Sequence, residues 1–273
     1  MPKKRYMALI LTAIMLLCAC SMQPNDTPTQ TQETAVTEIQ ITVPTEETAA
    51  VEPTQNTVPT QPLHSEIYLP GYSAEQITEY FAEVVLDVEY SDGTGDISLV
   101  QKWLWPVYYQ IYGSPTEADL EVLKALCLQL NSIPGFPGIY PAEDASQENF
   151  SISFLEQAAF DDSFSDVING EDAFGAVQFW YYTDTNEIHT ARIGCRTDIG
   201  QSPRDSVLVE EIINALGITD TELRPDSITY QYSDDNTALS DVDLVILKLL
   251  YSNAIQCGMD YDSCAAMIRE LYY

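Results

Sequence analysis

The chain has 273 residues, six cysteines, two histidines and a formal net charge of −31. Forty-two acidic against eleven basic side chains repel phosphate backbones, which argues against a nucleic-acid partner. With two imidazoles and no Cys-x-x-Cys pair, no familiar metal-site spacing is present, and neither a metal nor a cofactor is expected.

The first twenty residues have the three parts of an export signal. Lys3, Lys4 and Arg5 form a basic head, Tyr6 to Leu17 is apolar, and small residues precede Cys20. The apolar part is shorter than the roughly 20 residues of a spanning helix. Leu17 three places before Cys20, with Ala19 just before it, resembles a lipobox, which implies a signal peptide over 1–19 and a lipid anchor on Cys20. Two acyl chains there would fix the protein to the extracytoplasmic face of a bacterial membrane. Residues 21–65 hold Thr, Pro, Gln and six carboxylates (Asp26, Glu33, Glu38, Glu46, Glu47, Glu52) without Lys or Arg. Such a stretch buries too little apolar surface to offset ordering entropy, so 20–65 reads as a lipidated cysteine followed by a disordered linker.

Residues 66–273 are long enough for one domain with its own core. They hold eight basic and thirty-six acidic side chains, a formal −28 that favours cations and basic peptides as well as solubility. Ser73 to Gln76 forms a capping box, after which Ile77, Tyr80, Phe81, Val84, Val85 and Val88 predict an amphipathic helix. Asp92 to Asp96 is a turn, and Val107 to Tyr112 an aromatic strand. Ser114-Pro115 opens a helix with Leu120, Leu123, Cys127 and Leu130 inward. Phe150 to Phe154 alternates as a half-buried strand, and 175–182 and 187–195 form a hairpin around Thr183 to Asn186. The spacing then predicts helices over 203–217, 240–251 and 260–271, with Gly217 stopping the first. The order α-β-α-β-β-β-α-α-α is that of an α/β (α+β) domain with a mixed sheet.

Cys257 and Cys264 are the candidate disulfide pair, and Cys127 reads as a buried small hydrophobe. His189 lies in a strand beside Arg192, and a structural role is the commoner one for a lone strand histidine. Tyr181, Tyr182, Tyr230, Tyr232 and Trp180 are available for stacking on a sugar or peptide. Asp234, Asp235, Asp241 and Asp243 hint at calcium but lack the glycine and terminal glutamate of an EF-hand loop.

A series of segments carries a family resemblance: Val209 to Ile218 (VEEIINALGI), Pro225 to Tyr230, Leu239 to Asp243, Leu249 to Tyr251 and Cys257 to Met259. Upstream, Gln101 to Trp103, Gly113 to Thr116 and Leu130-Asn131 extend it. In order and spacing these resemble the bacterial DUF2927 family, a family of unknown function, over nearly all of 70–273. The resemblance implies a zincin-like fold, in which a helix presents His-Glu-x-x-His. Its two imidazoles hold zinc and its glutamate activates a metal-bound water. Here Val209 and Ile213 occupy the histidine positions, and His64 and His189 are elsewhere, so standard zinc peptidase chemistry is excluded.

Glu210 and Glu211 keep the family's acidic pair on the polar side of that helix. They either line a substrate-like cleft or sit in solvent and cap backbone, and Asp226 either closes the cleft or forms a side-chain turn. Three functions follow as expectations. The first is a non-catalytic, lipid-anchored protein that binds a peptide, a wall component or a partner protein. The second is a carboxylate-dependent, glycosidase-like hydrolase of an envelope polymer pairing Glu210 with Asp226. The third is a structural envelope protein.

Overall fold

The computed structural model describes residues 67–86, 98–168 and 173–272. The signal peptide, Cys20, the linker, His64, Val88 and the 92–96 turn lie outside them. Among the described residues the elements are α1 (Ala74–Val85), β1 (Lys102–Trp103), β2 (Val107–Gly113), α2 (Glu117–Asn131), β3 (Ile139–Pro141), β4 (Phe150–Leu155), α3 (Gln157–Ser163), β5 (Gly175–Tyr181), β6 (Glu187–Arg196), α4 (Gln201–Ala215), α5 (Asp241–Leu250) and α6 (Tyr261–Tyr272). The domain is α/β with a mixed sheet. None of its described helices is long and apolar enough to cross a membrane.

Strands β3, β2, β4 and β6 run parallel in that spatial order, and the short β1 pairs in parallel with the start of β6. β5 is antiparallel to β6 and forms an edge. The β5–β6 hairpin closes through Asn186 at φ 58°, a left-handed position that asparagine tolerates better than most residues.

Alternation along the strands separates two layers. Phe150, Ile152 and Phe154 of β4 and Ile193 and Cys195 of β6 face α2 and α4 in the main core. On the opposite face Phe160 of α3 and Phe164, which caps its C-terminal end, pack with Ala176 in a second, smaller cluster. Gly194 sits beneath those two rings, where a side chain would collide with Phe164.

Several boundaries differ from the sequence expectation. Helix α2 is capped by Thr116, whose hydroxyl accepts from the Asp119 amide while Asp119 accepts from the Thr116 amide, so the true capping box starts two residues after Ser114. Leu120, placed inward by periodicity, is 41% exposed, and Leu126 is buried. The spacing missed β1, β3 and α3, which are too short to show a period. The Cys257–Cys264 bridge is not formed: both thiols are free. The Cys257 Sγ lies 3.7 Å from the Lys102 carbonyl, and Cys264 is buried on the inner face of α6, its thiol pushed up to about 11 by desolvation. Cys127 is buried as expected, and desolvation pushes it up to about 12.

Candidate functional site

Helix α4 follows β6 after a short loop and lies on the α2 side of the sheet. Its sequence alternates too little to leave a polar face outside. From Ser206 to Ala215 every residue is buried. Val209 and Ile213, which the sequence resemblance sets at the histidine positions, are 2% and 1% exposed and belong to the main apolar core.

The expectation that Glu210 and Glu211 begin a polar side of this helix is corrected. Glu210 is 0% and Glu211 4% exposed. The reason is visible at Gly175, the first residue of β5. A Cβ there would overlap the Glu211 Oε1 and the Val207 Cγ1, so a bare glycine lets α4 lie directly against the strand. Neither carboxylate faces an open groove.

Asp226 is elsewhere in kind. It is exposed and pairs with Arg224 at 2.9 Å, and that hydrogen bond holds its carboxyl below the ordinary carboxylate range. Arg224 also donates to the Tyr72 hydroxyl and lies over the Tyr72 and Tyr80 rings. The next residue, Ser227, is buried and donates to Asp243 at 2.6 Å. Asp243 additionally accepts from the Ile228 amide (3.0 Å) and the Ser240 amide (2.8 Å), so it caps α5 and anchors the preceding loop. A sealed Glu210 and an exposed, ion-paired Asp226 do not present two carboxyl groups to one solvent-filled cleft, which removes the geometric basis of the glycosidase-like reading.

Other sequence candidates resolve locally. His189 lies against Tyr182 with the rings tilted by 30° and their centroids 4.3 Å apart, and it shares a 2.9 Å hydrogen bond with Thr190. Tyr230 and Tyr232 meet edge to face at 5.5 Å. Among the described residues no group of three or more His, Cys, Asp or Glu side chains is placed to hold a metal ion.

Three of the segments that carry the family resemblance, 101–103, 209–218 and 249–251, meet at one structural junction. The Lys102 ammonium, 4% exposed, donates to the carbonyls of Leu250 (2.8 Å), Ser252 (3.3 Å) and Ile255, just past the end of α5. Trp103 Nε1 donates to the Ala215 carbonyl at 2.9 Å, and the Tyr251 hydroxyl to the Leu216 carbonyl at 2.9 Å. Gly217 turns at φ 94° beneath the Gln101 carbonyl, where any side chain would clash. Lys102, Trp103 and Tyr251 thereby take up carbonyls that two helix ends leave orphaned.

One cleft of about 560 Å³ does open, at the C-terminal ends of β2, β4 and β6. Ligands of open α/β sheets favour such an edge. Ser114, Thr116, Glu156 and Thr197 line it, with Arg204 behind. Arg204 is 6% exposed and its fork is engaged by Asp119 (3.0 Å), the Thr197 carbonyl (3.0 Å) and Gln201 (2.7 Å), which ties α4 to the start of α2. The sequence offered Ser114 as a helix cap only; the cleft arises from three strand ends far apart in the chain.

The family model described as protein of unknown function (DUF2927) matches residues 74–270. No curated protein matches the chain.

Proposed function

Because the chain belongs to the DUF2927 family, we propose that it is a non-catalytic, zincin-like binding protein held by a lipid on Cys20 at the extracytoplasmic face of the cell membrane. The observation that carries the reading is the sealed centre of α4: Val209 and Ile213 are core residues and Glu210 has no exposed surface. In support of the zincin-like descent, the helix follows a sheet with an antiparallel edge strand, β5, and the resemblance aligns Glu210 with the glutamate of His-Glu-x-x-His. The ligand is a peptide, a wall component or a partner protein. β5 gives an extended chain a place to add, since among the described residues it pairs on one side only, with β6. The basic head, apolar run and acidic Thr/Pro/Gln linker support the address.

The test has two readouts on the full chain. Cells fed an alkyne fatty acid should label the wild type and not Cys20→Ala, with the variant leaving the membrane fraction. The purified protein incubated with a peptide library and zinc should leave every peptide intact. Label retained in Cys20→Ala would refute the anchor. Zinc-dependent cleavage lost in Glu210→Gln would refute the non-catalytic reading.

A further inference from the structure

Three arginines in the described chain share one arrangement. Arg192 lies 4.9 Å from the Phe164 ring and 5.9 Å from that of Trp180, and pairs with Asp166 at 2.8 Å. Arg196 lies over Phe174 at 5.3 Å and pairs with Asp198 at 2.7 Å. Arg224 lies over Tyr72 and Tyr80 and pairs with Asp226. In each case a guanidinium satisfies both an aromatic face and a carboxylate, the two partners that stabilise it best short of water.

The sheet has one further place with the rings and the carboxylate. Tyr109 and Ile111 of β2 pack against the main core, so Tyr108, Gln110 and Tyr112 point to the other face. Register sets Tyr140 of β3 beside Tyr108, and Ser151 of β4 beside Gln110. Helix α3 packs on Leu155 and Gly194, toward β6, and leaves the β2–β3 side of this face open. Tyr112 and Tyr140 are accordingly 44% and 46% exposed.

The surface is also held in shape. The Tyr108 and Tyr140 rings sit 6.3 Å apart, and Tyr140 rests on Gly138, where any side chain would displace it. Glu148 accepts from the Tyr112 hydroxyl at 2.6 Å and the Ser151 hydroxyl at 2.7 Å. Both donors are neutral, and among the described residues Glu148 has no ion pair. The stretch 139–153 adds Glu143 and Asp144 and contains no Lys or Arg.

We propose that this open face is an interaction surface for an arginine- or lysine-bearing segment of a partner polypeptide, whose cation sits over Tyr108 and Tyr140 and pairs with Glu148. The proposal is independent of the lipid anchor and of the edge strand β5. A neutral glycan would stack on the same rings and donate hydroxyls to Glu148, but only a cation gains the Coulomb attraction of a carboxylate that no ion pair neutralises, so the charge favours the basic segment.

The test is fluorescence anisotropy on the full-length protein with a labelled Gly-Arg-Gly-Arg-Gly peptide. Its citrulline counterpart, which keeps the shape and loses the charge, and a chitin oligosaccharide serve as rivals. The arginine peptide should bind at least about fivefold tighter than the citrulline one, and Glu148→Gln and Tyr140→Thr should each weaken it about threefold or more. Tyr112→Phe, which keeps the ring and frees Glu148, guards against variants that fail to fold and should weaken binding less than Glu148→Gln. Glu117→Gln with Glu121→Gln, on the exposed side of α2, should leave binding unchanged. Equal binding of the citrulline peptide would overturn the proposal. So would a loss in the α2 variant as large as that in Glu148→Gln, which would mean diffuse attraction to net charge, or Tyr140-dependent binding of the oligosaccharide alone.

Discussion

Lys102 illustrates how one side chain can carry a junction. Burial pulls its ammonium below the ordinary lysine value, and it is retained because three backbone carbonyls converge on it. Lys102→Met keeps the stem and removes the donors, leaving buried carbonyls without partners. Chemical denaturation should show a loss of about 2–4 kcal/mol. Asp226 sits at the other extreme. Its folded carboxyl is held below 3.8 by the Arg224 hydrogen bond, so its contribution is present above the ordinary carboxylate range and is lost as pH falls through the folded value. Because it is mostly exposed, Asp226→Asn should cost under about 1 kcal/mol at neutral pH, and the difference from wild type should vanish in melts taken well below pH 3.8. A difference that persists in acid would assign Asp226 a role other than this ion pair.

At the scale of elements, the approach of α4 to β5 depends on Gly175. Gly175→Ala would push on Glu211 and Val207 in a filled core, and the expected cost is about 1–3 kcal/mol, read as a lowered unfolding midpoint at constant slope. The long elements were legible in the sequence because each carries a period or a cap: Ser73 caps its helix as expected, and β4 alternates buried and half-buried as its sequence does. The burial of Glu210 and Glu211 was not legible. Charge predicts exposure for an isolated helix, and only the packing of α4 against β5, β6 and α2 reverses it. Nor was the aromatic face, since Tyr108, Tyr112, Tyr140 and Glu148 come from separate segments that strand register brings together.

For the whole molecule, the main core includes residues from α1, α2, α4, α5 and α6 as well as the sheet, and α4 passes through its middle. A zinc-binding helix must show its ligands to a cleft, whereas Val209 and Ile213, the positions that the proposed zincin-like descent gives to ligands, serve the core. Lys102, Trp103, Gly217 and Tyr251 stabilise that arrangement through helix-end carbonyls and a tight turn rather than lining a groove. Function is thus expected on the surface, at the β5 edge and on the open tyrosine face. Equilibrium dialysis of the full-length protein against zinc, followed by elemental analysis, tests this most directly. No zinc above the buffer background is predicted, because Val209 and Ile213 supply no donor and Glu210 is closed off. One tightly held zinc per chain, lost in Glu210→Gln, would contradict it.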